Sequence, residues 1–176
     1  MKQKTSSRKP TGGTVFRVRL GTPQDLDILV HQRRAIWEEM GIRSKNALDK
    51  ADKAYRKWAR RQFRARKLFA WLAETNAGKV VGGGCLWLQP VQPTPMFNGK
   101  AQPYLMSMYT EARHRNKGVA SLIVRKMLDW SKKNGYLWVV LHASREGRRV
   151  YKALGFRRLW EMGFDFTRTQ PVDSTS

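Results

Sequence analysis

The sequence predicts an α/β fold, a mixed sheet of about seven strands flanked by helices. Three observations lead there. Segments with strand and helix periodicity follow one another in the order β-α-α-β-β-β-α-β-α-β(-β). The run Tyr136 to Ala143 is almost wholly apolar, as in a strand covered on both faces. A basic, glycine-containing loop, Arg113 to Ser121, joins the apolar run Tyr104–Tyr109 to a strongly periodic helix.

At 176 residues the chain fits one domain, and 41% hydrophobic content with 11% aromatics is enough for a core. Residues 1–13 read as a mobile basic tail ahead of a domain spanning 14–176; Lys2, Lys4, Arg8 and Lys9 face no acid there. The tail lacks the apolar core of a secretory signal, and no apolar run reaches membrane-spanning length. The single cysteine, Cys85, lies in an apolar run and reads as a buried small hydrophobe. These features lead to the expectation of a cytoplasmic protein, monomer or homodimer, with no membrane contact. His31, His114 and His142 are far apart in sequence and no metal-ligand spacing appears, so no metal site is expected.

Thr14 to Leu20 alternates polar and apolar residues, a half-buried strand. Thr22-Pro23-Gln24-Asp25 then supplies a cap, a proline and an acid for a helix that Gly41 ends. Its apolar face is Leu26, Leu29, Val30, Ile36, Trp37 and Met40. Asp25, Asp27, Glu38 and Glu39 outnumber Arg33 and Arg34 along it, so this helix reads as a local negative patch.

Ser44 to Lys67 follows as a second helix or a broken pair, with Leu48, Tyr55, Trp58, Ala59 and Phe63 at helical spacing. Its other face carries ten bases against Asp49 and Asp52. The whole chain has 35 Lys and Arg against 13 acids, a net charge of +22. The Lys50–Lys67 face is therefore either a solvated surface or a contact for nucleic acid or another polyanion.

Phe69–Thr75 and Val80–Leu88 flank a turn at Asn76–Lys79 and read as a hairpin. Gly82-Gly83-Gly84 inside the second strand signals a bulge or a close approach. Pro90 to Pro103, with four prolines, reads as a long irregular loop. Val119–Asn134 is a helix with Val119, Leu122, Ile123, Met127 and Trp130 inward, ended by Gly135. Glu146–Leu154 is a short helix closed by Gly155, and Phe156–Phe166 can supply two last strands.

The loop carries the chemistry. The free N–H groups at a helix start and its dipole favour an anion, and Gly118 leaves room for close approach. Arg113, Arg115 and Lys117 add positive charge. The two widely used glycine-rich nucleotide loops do not match; the pattern here is Arg115-x-x-Gly118-x-Ala120. Downstream stands Ser144-x-x-Gly147-x-x-x-Tyr151-x-x-x-Gly155-Phe156.

Together, in this order and spacing, the two motifs resemble the GNAT superfamily of N-acetyltransferases, most strongly from Tyr104 to Phe156. The resemblance implies a GNAT-like acyl-CoA N-acyltransferase fold in which the strands holding Tyr104–Tyr109 and Tyr136–Ala143 splay apart around the donor's pantetheine arm. It implies acetyl-CoA as donor and co-substrate, and an amine acceptor: a protein N-terminus, a lysine or a small amine. Donor-binding residues would be Met108, Tyr109 and Thr110, then Arg113, Arg115, Asn116, Lys117, Gly118, Val119, Ala120 and Ser121 at the pyrophosphate, and Ser144 at the arm. Tyr151 would be the general acid, although its residue type equally suits a packed core tyrosine. The long proline-containing loop would border the acceptor. For the general base the sequence offers Glu38, Glu39, His31 or a water chain. The charge leaves a second function open, an RNA- or ribosome-associated binding protein on the same fold.

Overall fold

Strand alternation and helix caps set most of the elements. The computed structural model describes residues 15–93, 95, 99 and 101–162. The basic tail at 1–13 and the segment from residue 163 on lie outside the described residues.

β1 (Phe16–Leu20) leads through a short 3-10 turn, Pro23–Asp25, into α1 (Leu26–Glu39). The expected start signal is in place: the Asp25 carboxylate accepts from the Thr22 N–H at 2.8 Å. α2 (Lys45–Arg64) is one unbroken helix, and Ser44 caps it by accepting from the Ala47 N–H. β2 (Leu68–Thr75), β3 (Val80–Pro90) and β4 (Ala101–Thr110) follow, then α3 (Val119–Lys133), β5 (Val140–Leu141) and α4 (Arg148–Ala153).

The strands lie in the order β1-β2-β3-β4-β5; the first three pairings are antiparallel and β4–β5 is parallel. The sheet separates two apolar layers. α1 and α2 pack on one face through Leu26, Leu29, Tyr55 and Ala59 against Leu72 and Cys85. α3 packs on the other through Val119, Ile123, Val124 and Met127 against Val81, Leu86 and Leu105. At roughly 25 cal/mol per Å² of apolar surface removed from water, these two layers are the main stabilising term.

The three consecutive glycines let both layers close on β3. A Cβ on Gly83 would lie 2.5 Å from Gln32 Oε1 on α1, and one on Gly84 would lie 2.1 Å from Met108 Sδ. The β3–β4 register shifts at this point, and Ser107 opposite takes a left-handed φ of +54°. The bulge resets the alternation of β4: Met106 joins the α1/α2 layer, yet Met108 joins the α3 layer.

The structure corrects four expectations. β3 and β4 run further than the prolines suggest, to the pairs Leu88–Pro103 and Pro90–Ala101, so the irregular loop shrinks to residues 91–100. Pro103 has no N–H to donate, and its partner Leu88 sends its own N–H to Lys67 O at 2.8 Å on the other side. The buried strand expected over Tyr136–Ala143 reduces to Val140–Leu141, both half-buried, with Leu137 70% exposed. Its single neighbour among the described residues is β4, and the β4 bulge turns away directly beyond the last shared pair. The short helix starts at Arg148 rather than Glu146. Five strands stand among the described residues where about seven were expected. Residues 156–162 form no strand, and the remainder of the expected last pair lies outside the described residues.

Candidate active site

β4 and β5 pair at two positions only, Tyr104–Val140 and Leu105–Leu141. Beyond Leu105 the two strands part, and the N-terminus of α3 follows from the end of β4 through a tight turn, Ala112–His114. Gly118 occupies the N-cap position with φ +81°, a left-handed conformation that side chains rarely adopt. A Cβ there would meet nothing within 4 Å, so backbone conformation and not crowding by the protein requires glycine. Among the described residues no side chain caps the helix, which leaves the first-turn N–H groups without a side-chain acceptor there.

The sequence-predicted residues gather at two places. Around the helix start, Asn116 is left-handed (φ +58°), Lys117 is exposed, Val119 is buried, and Ala120 and Ser121 are half-buried. Arg113 pairs with Glu111 at 3.1 Å. Arg115 donates from Nε to the Thr110 carbonyl at 2.9 Å and pairs with Glu39. Of the β4 residues, Met108 packs toward α3, while Tyr109 stands opposite Gly83 on the α1 side.

The second place is the turn before α4. Ser144 Oγ accepts from the Gly147 N–H at 3.1 Å. A Cβ on Gly147 would lie 3.0 Å from the Tyr151 ring and 3.3 Å from Ser144 Oγ, so Gly147 is what allows these two side chains to converge. Tyr151 is half-buried against the α3 layer, with its ring edge-on to Phe156 at 5.6 Å. Burial pushes the Tyr151 phenol up to about 12, and burial pushes the Cys85 thiol up to about 12 as well. Neither is ionised near neutral pH.

The negative patch expected on α1 is dispersed into ion pairs. Asp25 binds Arg19 at 2.8 Å, Asp27 binds Arg56, Glu38 binds Arg34 at 3.2 Å and Glu39 binds Arg115. Asp25, Asp27 and Glu39 each meet an arginine from another element, which periodicity along one helix does not disclose, while Glu38 meets Arg34 one turn earlier on α1. His31 stands apart from these, lining a shallow cavity of about 340 Å³ with Asp27, Tyr109 and Glu111.

Sequence reasoning missed one constellation. The Tyr104 hydroxyl contacts His142 Nδ1, and His142 Nε2 lies 3.3 Å from the Glu161 carboxylate. The signal was present: a lone histidine directly after an apolar strand run and two residues before Ser144.

The architecture matches solved structures along most of the chain. A GCN5-related N-acetyltransferase from Ralstonia eutropha JMP134 superposes with a TM-score of 0.77 at 22% identity, covering 88% of this chain and all of that one. A predicted acetyltransferase with acetyl-CoA from Clostridium acetobutylicum gives 0.76 at 23% identity, covering 89% of this chain and all of that one. At such identities the likeness is one of fold. Among curated proteins, the probable N-acetyltransferase family 8 member 5 of Mus musculus is 34% identical over 93 residues, 50% of this chain and 38% of that protein. N-acetyltransferase 8 of Rattus norvegicus is 32% identical over 99 residues, 54% of this chain and 42% of that protein. The chain thus matches about two fifths of the length of these relatives. The acetyltransferase (GNAT) family model matches residues 32–156, a span that contains the parted strands, the uncapped helix and the Ser144–Tyr151 turn, and the chain belongs to that family.

Proposed function

We propose that the protein is an acetyl-CoA-dependent N-acetyltransferase acting on an amine. The observation that carries this reading is the parting of β4 from β5 beside the uncapped N-terminus of α3. Acetyl-CoA suits these residues. Free N–H groups at the start of α3, behind a left-handed glycine and beside Arg113 and Lys117, take a pyrophosphate. The gap between the strands takes an extended arm.

When bound, acetyl-CoA supplies the acetyl group as an activated thioester. The chain's own residues do the rest. The loop Arg113–Ser121 holds the phosphates, and Met108, Tyr109 and Thr110 with Ser144 flank the arm. Tyr151, protonated because it is buried, donates to the departing thiolate. Cys85 is fully buried with its thiol protonated, so the amine attacks the thioester directly and no acyl-enzyme forms on a thiol.

Thiol release from acetyl-CoA across a panel of amines tests the reading: protein N-terminal peptides, lysine peptides and small amines. Turnover above the acceptor-free rate with at least one class is expected. Acetyl-CoA binding without turnover on any class would overturn it.

One observation favours a second activity on the same chain. Apart from Arg56, which is half-buried and pairs with Asp27, the cations of α2 and the following turn from Lys50 to Lys67 are exposed and carry no ion pair among the described residues. Asp49 and Asp52, the acids of α2, are engaged by Arg34. Such a face binds a polyanion, and a nucleic acid fits its length and charge. A cytoplasmic setting, where nucleic acid is at hand and a lone thiol stays reduced, accords with both activities. Among the described residues no helix is long and apolar enough to cross a membrane.

A further inference from the structure

The last shared pairs of β4 and β5 fix the facing of the residues beside them. Leu105 and Leu141 point into the α3 layer. Tyr104, next to Leu105 on β4, points to the opposite face, and His142, directly after β5, meets it there. Tyr104 stands opposite Trp87, whose ring packs in the α1/α2 layer. The Tyr104 and His142 rings lie 5.7 Å apart, and the Tyr104 hydroxyl meets His142 Nδ1. On the far side of the imidazole, Glu161 stands 3.3 Å from Nε2. The Glu161 carboxylate beside Nε2 favours a proton on that nitrogen, which leaves Nδ1 to accept from the phenol. Tyr104 is half-buried, while the His142 side chain is 67% exposed, so solvent and substrate reach the pair.

We infer that Tyr104 and His142 form the proton relay that accepts the amine's proton, with Glu161 as the positioning residue that orients the imidazole. This rests on the acetyl-transfer reading above. Tyr151 lies in the α3 layer, so donor and acceptor of protons occupy opposite faces of the sheet where it opens. The acids on α1 do not compete for the role, because Glu38 and Glu39 are held by Arg34 and Arg115.

The step balances. The amine nitrogen forms a bond to the acetyl carbon and the carbon–sulfur bond breaks. The nitrogen's proton passes to Tyr104 Oη while Tyr104 hands its own proton to His142 Nδ1. The sulfur takes the Tyr151 proton. The imidazolium faces the Glu161 carboxylate, and solvent later removes its proton and restores that of Tyr151. Burial first, then the Glu161 charge, raises the Tyr104 phenol, so it enters the step protonated, as a relay requires.

His142→Ala is the test, read as thiol release with a saturating amine. Proton-transfer groups contribute about 10²–10⁴-fold, so kcat falls roughly 10²–10³-fold while KM for acetyl-CoA and its thermal shift stay within about twofold. Added imidazole restores at least tenfold, a response that a structural loss does not show. Tyr104→Phe falls comparably without imidazole rescue. Glu161→Gln lowers kcat by about tenfold at unchanged KM for acetyl-CoA. A wild type that turns over beside a His142→Ala variant of undiminished kcat leaves acetyl transfer standing and overturns the relay. A loss that imidazole does not repair also overturns it. A wild type inert with every amine overturns both readings.

Discussion

Arg115 and Glu39, 76 residues apart in sequence, form an ion pair that ties the C-terminal turn of α1 to the loop preceding α3. The same guanidinium donates to the Thr110 carbonyl where β4 ends. Arg115 therefore positions the loop as much as it offers charge, and part of that charge is already met. Glu39→Gln is expected to tighten acetyl-CoA binding by up to a few fold, because the freed arginine can turn to phosphate. Arg115→Ala is expected to weaken it by about tenfold, as for loss of one charged hydrogen bond. Both partners are over 40% exposed, so stability should change by less than about 1 kcal/mol. Titration calorimetry on the two variants checks the opposite signs; a matching loss in both would mean that Glu39 serves binding directly.

Gly118 is expected to separate conformation from charge. Asn tolerates a left-handed φ far better than other side chains, so Gly118→Asn should keep the fold and most of the acetyl-CoA thermal shift. Gly118→Asp places a carboxylate at the same N-terminus and should abolish the shift while the apo protein melts close to Gly118→Asn. Retained acetyl-CoA stabilisation in the aspartate variant would move the phosphate site elsewhere.

Asp25 gives the fold an acid-sensitive joint. The Arg19 side chain, which donates two hydrogen bonds at 2.8 Å, holds the Asp25 carboxyl down from 3.8 to about 2. A carboxyl lowered in the folded state contributes stability above its unfolded value and loses it as pH falls through the folded one. The window is therefore about pH 4 down to about pH 2, and the contribution is on the order of 2 kcal/mol. Asp25→Asn should flatten the stability–pH curve in that window and lower stability at neutral pH. Denaturant midpoints at several pH values measure it, and parallel curves for both proteins would refute the assignment.

These devices differ in how far the sequence discloses them. Local rules named the cap at Thr22, the left-handed stops at Gly41 and Gly135, and the close approaches at Gly82–Gly84, because each is settled within a few residues. The two motifs around Gly118 and Tyr151, each compact in sequence, mark both halves of the proposed site. The shortness of β5 was hidden, since an apolar run looks alike in a central strand and at a sheet edge. The ion pairs that tie Asp25, Asp27 and Glu39 to other elements, and the Tyr104–His142 contact across 38 positions, depend on which elements the fold sets side by side.

The cationic face is expected to bind nucleic acid through phosphates. Reversing Lys57, Arg60, Arg61 and Arg64 to Glu should remove binding to a short RNA and leave thiol release with a small amine unchanged. All four side chains are exposed, so the fold should persist. For the wild type, log affinity should fall linearly with log salt, with a slope of about −0.7 per phosphate contact on a single strand. Binding that ignores salt, or survives the reversal, would assign this face to ordinary solvation.

Tyr151 carries the last prediction. Its hydroxyl belongs to a side chain packed beside Gly147 and Phe156, and burial keeps it protonated well above neutral pH. Tyr151→Phe keeps the ring and this packing and removes the proton. If Tyr151 protonates the departing thiolate, kcat falls about 10²–10⁴-fold while acetyl-CoA affinity moves by less than about threefold. Cys85 provides the control. Its thiol is fully buried and raised to about 12, beside Tyr55 in the α2 layer, so it is no nucleophile at neutral pH. Cys85→Ala should lower stability by about 1 kcal/mol through lost packing and leave kcat within twofold. A Tyr151→Phe variant with full kcat would make Tyr151 a core residue and place the acid elsewhere. A folded Cys85→Ala variant without activity would overturn direct attack, because the one thiol of the chain would then lie on the reaction path.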